Sequence, residues 1–229
     1  MSNIVGLIAV RSGSKRVENK NLRPFADSSL LEIKLKQALN EPGLEKVYVS
    51  SDCHKMLSIS EELGATPLER PSLLASDDIP MNQVYEYMAK ELDESHICYL
   101  HVTSPMLSDI TLSKCVKKYI SEVVDSGRND SLATVHKVQE YMWHKNSPVN
   151  YDPSNHPRSQ DLPLYCALNF AVNIIPRKLM MTKKNIVGEN FYPFFLGDEE
   201  SVDVDTPHEF EIAEFLYQKK NAGPRSGRC

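Results

Sequence analysis

Two groups of residues far apart in the chain have types and spacings that could do chemistry together. The first is Arg11-Ser12-Gly13-Ser14-Lys15, followed by Lys20-Asn21. From Arg11 to Arg23 there are five cations (Arg11, Lys15, Arg16, Lys20, Arg23) against one acid, Glu18, in a chain of net charge −5. Arg11 offers a planar fork suited to phosphate oxygens, and Lys15 and Lys20 offer point charges. Ser12 and Ser14 can donate hydroxyl hydrogen bonds, and Gly13 permits close backbone approach. Together they suit a small polyanion such as a nucleoside triphosphate, because charge builds on phosphate oxygens and on departing pyrophosphate during group transfer. The pattern is neither G-x-x-x-x-G-K-[ST] nor G-x-G-x-x-G. A solvated basic loop is the plainer alternative.

The second group is Ser201-Val-Asp203-Val-Asp205-Thr206. In an extended segment Asp203 and Asp205 share one face, while Val202 and Val204 turn to the core. Two such carboxylates, expected to face solvent, suit Mg²⁺ with waters and phosphate oxygens completing the octahedron. The competing explanation is a polar strand edge leading into a helix cap. Arg70-Pro71 to Asp77 reads as a Pro-restrained loop. Arg158, in His156-Pro-Arg-Ser-Gln160-Asp-Leu-Pro163, could hold a substrate carboxylate, although a surface Arg is the commoner case. His101 follows a strand and is placed to face the ligand edge; a lone His there is more often a packing residue than a catalyst.

The elements that would position these groups alternate. Ile4 to Val10 is an apolar run suited to a strand buried on both faces. A long polar loop covers 11–28. Ser28 or Ser29 then caps a helix to about Asn40, with Leu30, Ile33, Leu35 and Leu39 on its apolar side. Strands follow at 47–49, 65–68, 97–102, 132–136 and 167–175. Helices are expected at 54–63, 81–93, 109–124 and 177–182. The last helix starts at Thr206 with Pro207 and the capping-box partner Glu209, draws apolar contacts from Phe210, Ile212, Ala213, Phe215 and Leu216, and runs to about Lys219. This alternation predicts an α/β fold, doubly wound about a mostly parallel sheet. Ligands in such folds gather beyond the carboxyl ends of the strands. The polar stretches 11–21, 50–52 and 103–105 should therefore share one edge. Residues 137–165 carry Pro148, Pro153, Pro157 and Pro163 without periodicity, as functional or interface insertions do. The predicted organisation is one domain over 1–219, including 137–165 as an arm, with a disordered tail at 220–229.

Bulk properties set limits. A length of 229 residues, 41% hydrophobic and 25% charged, is ordinary for one globular domain. The negative charge argues against a nucleic-acid partner. No apolar stretch approaches a membrane span, and residues 1–3 lack a signal peptide's basic start, so a cytoplasmic protein is expected. Five scattered cysteines (53, 98, 115, 166, 229) with no CxxC argue against a zinc site or a disulfide framework.

Arg11-x-x-Ser14-Lys15-x-x-x-x-Lys20-Asn21 resembles the signature of the acylneuraminate cytidylyltransferases, with the related CMP-Kdo synthetases sharing the fold. Further matches are Val49 to Asp52, Arg70-Pro71 with Leu74-Ala75, Thr103-Ser104-Pro105, Pro157-Arg158-x-Gln160, Asn169, and Ser201-x-Asp203-x-Asp205-Thr206. The resemblance implies a Rossmann-like nucleotidyltransferase that joins CTP to a sialic-acid-like 2-keto-3-deoxy sugar acid, releasing pyrophosphate. It implies Arg11, Lys15 and Lys20 on the triphosphate, with Ser12, Gly13 and Ser14, and Asn21 and Arg70 on the cytidine. It implies Arg158 at the sugar acid, with His101, Thr103, Ser104, Gln160 and Asn169 around it, and Asp203 and Asp205 on Mg²⁺. It also implies a homodimer in which 137–165 reaches across to the partner's site. The chain departs from the family where Gln-Pro-Thr-Ser-Pro-Leu-Arg becomes His101-Val-Thr-Ser-Pro-Met-Leu107. Phe170 stands where a small residue is usual, and Glu18 replaces a common Pro. Donor-side residues are kept and acceptor-side ones change, so legionaminate-, pseudaminate- or Kdo-like acids are candidate acceptors. The alternatives are a non-catalytic nucleotide-binding protein on the same fold, or a nucleotidyltransferase for a different sugar acid such as Kdo, for another base or for a sugar phosphate.

Overall fold

A computed structural model describes residues 3–222. Seven strands form its central sheet: β1 (Ile4–Ala9), β2 (Val47–Ser51), β3 (Thr66–Glu69), β4 (His96–Leu100), β5 (Ser131–Val138), β6 (Tyr165–Pro176) and β7 (Phe191–Phe195), in the spatial order β7-β5-β6-β4-β1-β2-β3. Pairing is parallel for β1 with β2 and β4, β2 with β3, and β5 with β7. Only β6 runs antiparallel to its neighbours. The sheet is thus mostly parallel, as the alternation of elements predicts. β7 has no counterpart in the predicted elements. Its Pro193 falls inside an aromatic run, and the strand is tolerated at the sheet edge, where a missing N–H costs least.

The six helices are α1 (Leu30–Leu39), α2 (His54–Glu62), α3 (Met81–Lys90), α4 (Asp109–Tyr119), α5 (Arg177–Lys183) and α6 (Pro207–Asn221). Period-2 alternation on β1 sends Ile4 and Ile8 into one core with side chains of α1, α2, α4 and α6. Val5 and Leu7 join a second core with Val84 and Met88 of α3 and Met180 of α5. Each fully buried Leu or Ile contributes roughly 1.5–3 kcal/mol, so the two cores fix helices on both faces of the sheet.

The caps follow from local chemistry. Ser29 Oγ accepts from Glu32 N–H at 3.3 Å, Ser108 Oγ accepts from Thr111 N–H at 3.1 Å, and Thr206 and Glu209 form the predicted capping box. Three expectations are corrected. The buried face of α1 is Leu30, Leu31, Lys34, Leu35, Gln37 and Ala38, whereas Leu39 is exposed. Helix α6 continues through Lys220 and Asn221, where Lys220 Nζ reaches the Met106 carbonyl at 3.3 Å; the rest of the expected tail, 223–229, lies outside the described residues. On α6 only Phe210 and Ala213 are buried, while Ile212 and Phe215 are exposed.

The arm at 137–165 contains a small ribbon, Trp143–His144 with Ser147–Pro148, and two short 3₁₀ turns. The rest is irregular, as its proline spacing implies.

Candidate active site

The loop after β1 is held by its own backbone. Gly13 and Asn19 take left-handed φ values of 71° and 52°. Lys20 N–H donates to the Val17 carbonyl at 3.2 Å, and Arg23 N–H to the Asn19 carbonyl at 2.7 Å. Val17 is buried and anchors the loop in the core. Asn21 is buried, and its side-chain N–H donates to the Arg11 carbonyl at 3.1 Å, tying the two ends of the loop together. Arg70 is buried beneath it, with Nη2 donating to the Val10 carbonyl at 2.6 Å. Burial lowers the pKa of this guanidinium from its ordinary value.

The strand ends converge as the fold requires. Val10 N–H donates to the Ser50 carbonyl at 3.0 Å. Asp52, at the end of β2, accepts from the backbone N–H of Ser12 at 3.0 Å and from its hydroxyl at 2.5 Å. Lys20 crosses to the 201–206 segment, where Nζ donates to the Val204 carbonyl at 2.8 Å and meets Asp205 at 3.5 Å. Val204 N–H in turn donates to the Thr103 carbonyl at 2.9 Å. Val204 is fully buried and Val202 half-buried against the same core, so both valines turn inward as expected, although no strand forms. The stretches 11–21, 50–52 and 103–105 do share one edge.

A cleft of about 390 Å³ opens there, lined by Arg11, Ser14, Lys15, Arg16, Lys20, Asn21, Asp77, His101, Thr103 and Asp205. A second cleft of about 580 Å³ lies on the other side of the same loop, lined by Ser12, Gly13, Lys20, Arg23, Lys55 and Met56 among others. The cations of the first cleft are paired. Arg11 and Lys15 both engage Asp77, Lys15 at 2.7 Å, and Arg11 also donates to the Ala75 carbonyl at 2.8 Å. Arg16 meets Asp205 at 3.1 Å. These are solvent-accessible pairs, individually weak because water screens them. A triphosphate carrying several charges can therefore displace the carboxylates. Sequence reasoning counts Arg16 among the loop's cations and names Asp52 and Asp77 within the 50–52 and 70–77 stretches, but gives none of the three a site role. Asp52 was legible as a carboxylate ending a strand; Asp77 sits in a loop with no pattern to single it out.

Asp203 is less exposed than expected. Burial raises its pKa, with the Asp205 charge adding to the rise and the nearby Thr103 hydroxyl opposing it. Its Oδ1 is buried and has no hydrogen-bond partner. An orphaned carboxylate oxygen beside a second carboxylate is a donor set that fits a hard divalent cation. No group of three or more His, Cys, Asp or Glu is gathered for a metal among the described residues, so most of its shell would come from water or phosphate.

His101 is half-buried at the cleft wall, with its ring centroid 4.9 Å from Tyr99 and 5.9 Å from Phe170. Burial pushes its pKa down to about 4, helped by the charges of Lys34 and Lys20. The imidazole is therefore neutral near pH 7, and its Nε2 is buried without a partner. Phe170 has φ 61°, within the register shift between Leu168 and Asn173. Asn169 holds that bulge: its Oδ1 accepts from Thr134 Oγ1 at 2.8 Å and from Ala171 N–H at 3.0 Å, and its Nδ2 donates to the Ser201 carbonyl at 3.4 Å. Ser104 is fully buried and its hydroxyl has no partner. Arg158 and Gln160 are exposed on the arm and do not line the first cleft; Arg158 pairs with Asp161 at 2.8 Å.

Known proteins resemble this arrangement. The family model described as Cytidylyltransferase matches residues 5–165. The chain is 26% identical over 238 residues to an N-acylneuraminate cytidylyltransferase of Escherichia coli, covering 96% of this chain and 53% of that protein, so it spans about half of that relative's length. It is 27% identical over 224 residues to a pseudaminic acid cytidylyltransferase of Campylobacter jejuni, covering 93% of this chain and 95% of that one. A solved CMP:2-keto-3-deoxy-manno-octonic acid synthetase complexed with CTP superposes with a TM-score of 0.72 at 14% identity, covering 96% of this chain and all of that one, which shows the common Rossmann-like nucleotidyltransferase fold. With its signature loop folded onto the end of β1 and most of its length matched by the family model, the chain belongs to the cytidylyltransferase family.

Proposed function

We propose that this protein transfers CMP from CTP to the anomeric hydroxyl of a sialic-acid-like 2-keto-3-deoxy sugar acid, releasing pyrophosphate. The observation that carries this is the junction of Lys20 with Val204 and Asp205, which joins the cationic loop to the carboxylate pair. The attacking hydroxyl loses its proton and bonds to the α-phosphorus, and the bond to the bridging oxygen breaks. Arg11, Lys15 and Lys20 bind the triphosphate and offset charge on the departing pyrophosphate. The N–H groups and hydroxyls around Ser12, Gly13 and Ser14 orient it, while Asn21 and Arg70 hold the loop from beneath. Asp203 and Asp205 would hold Mg²⁺, which when bound neutralises phosphate charge.

The acceptor lies on the side of His101, Thr103 and Ser104. A neutral, half-buried imidazole against an aromatic ring makes a less polar wall than the amide usual in the family. That favours acceptors of the legionaminate, pseudaminate or Kdo type over N-acetylneuraminate. The relatives' names include pseudaminic acid and CMP-N,N′-diacetyllegionaminic acid enzymes beside N-acylneuraminate ones, so all of these acids are within the range of the chain's relatives.

The arm exposes Trp143, Val149, Leu164 and Tyr165, an apolar surface suited to burial against a second copy. A homodimer would bring Arg158 and Gln160 to the partner's acceptor site. Among the described residues no helix is long and apolar enough to cross a membrane, and use of CTP is consistent with a cytoplasmic enzyme. Pyrophosphate release with CTP, Mg²⁺ and a panel of ulosonic acids tests the proposal, with Asp203→Ala as the inactive control. Light scattering tests the dimer.

A further inference from the structure

Helix α1 carries a lysine where a leucine would be expected. Lys34 is 1% exposed. Its Nζ donates to Gln37 Oε1 at 2.7 Å and to the Ser104 carbonyl at 3.0 Å. Gln37 extends the contact, its Nε2 donating to the Leu107 carbonyl at 2.8 Å and to Asp109 Oδ1 at 3.0 Å. Among the described residues no carboxylate hydrogen-bonds or ion-pairs with the Lys34 ammonium; Asp109 and Glu200 act on it only through space. A buried ammonium without a bonded counter-ion is costly, and a Leu or Met would fill the space more cheaply. Its retention calls for a use of the charge.

The geometry supplies one. The Thr103–Ser104 stretch is gripped from two sides: Val204 N–H takes the Thr103 carbonyl at 2.9 Å, and Lys34 takes the Ser104 carbonyl at 3.0 Å. The charge of Lys34 is felt at His101, where it disfavours protonation. The same field favours an anion placed beside that ring.

We propose that Lys34 is a positioning residue for the acceptor: a buried cation that pins the Thr103–Ser104 loop and attracts the carboxylate of the incoming sugar acid. This rests on the assignment of His101, Thr103 and Ser104 to the acceptor side. Burial brings the Lys34 ammonium down to about 7, against the through-space influence of Cys98, Asp109 and Glu200. The other titratable ring felt here, His101, is pushed down to about 4 and the Cys98 thiol is pushed well up, so neither titrates between pH 6 and 8.5.

The test is steady-state kinetics of wild type and Lys34→Met, with CTP, Mg²⁺ and the best acceptor acid, from pH 6 to 8.5. Wild type should show KM for the acid rising several-fold as pH passes 7, with KM for CTP nearly constant. Lys34→Met should raise KM for the acid about tenfold at pH 6, leave KM for CTP within about twofold, and abolish the pH dependence. A wild-type KM for the acid that is flat across this range would overturn the inference even if the variant does not fold. So would a folded variant with unchanged KM for the acid. Absence of turnover with every acid would instead remove the proposed reaction, and this inference with it.

Discussion

Lys20 and Asp205 stand 185 positions apart in the chain and 3.5 Å apart in the fold, and the same ammonium donates to the Val204 carbonyl at 2.8 Å. One side chain thus registers the loop that would hold the triphosphate against the segment that would hold the metal. Replacing Lys20 with Met should lower kcat/KM by about 10²–10³, the usual loss when a charge-stabilising donor is removed. The fold should persist, because the cores on both faces of the sheet do not involve it. Pyrophosphate release and thermal unfolding, measured on one preparation, check both halves.

Asp77 occupies Arg11 and Lys15 at once. It is a competitor for the cations that the triphosphate needs. Asp77→Asn should therefore tighten CTP binding several-fold at low salt, with the advantage shrinking toward 0.5 M salt as screening weakens both contacts (about 4 Å at that strength). Calorimetric titration with CTP at the two salt concentrations would show it. Weaker binding in the variant would mean that Asp77 assists the site.

His101 is held neutral by burial, its pKa pushed down to about 4 from an ordinary 6.5. The unfolded chain binds this proton at higher pH than the folded one does, so stability falls as pH drops from about 6.5 to about 4 and is flat above. The loss integrates to about 3 kcal/mol for a shift of this size. His101→Gln should remove that part of the acid sensitivity. Denaturant unfolding at pH 4.5 and pH 7.5, in wild type and variant, compares the two slopes directly.

Phe170 takes a left-handed backbone at φ 61°, which costs an L-residue with a side chain roughly 1–2 kcal/mol. Its ring lies 5.9 Å from His101. Phe170→Gly should recover part of the strain and lose the ring contact, leaving the melting temperature within a few degrees of wild type. The larger effect should be on selectivity, with N-acetylneuraminate gaining relative to the preferred acid. An acceptor panel on the variant reads this out.

The parallel sheet was legible because β1, β2 and β4 are short apolar runs each followed by polar residues. The capping box at Thr206 and Glu209 was legible for the same local reason. The edge strand β7 was not, because Pro193 interrupts its pattern and only pairing with β5 supports it. Lys34 and Asp77 were illegible for opposite reasons. A lysine in a helix reads as solvated until packing buries it, and an acid in a loop carries no periodicity. Arg158 and Gln160 illustrate a third limit: sequence matched them to a site, but one chain keeps them on its exposed arm, away from the cleft.

The most direct test of the central claim is pyrophosphate release by the purified protein with CTP and Mg²⁺ across N-acetylneuraminate, legionaminate, pseudaminate and Kdo. Turnover is predicted with CTP over UTP or GTP, highest with an acid other than N-acetylneuraminate, and abolished in Asp203→Ala. No release with any of these acids would contradict the account and leave a nucleotide-binding protein without this reaction.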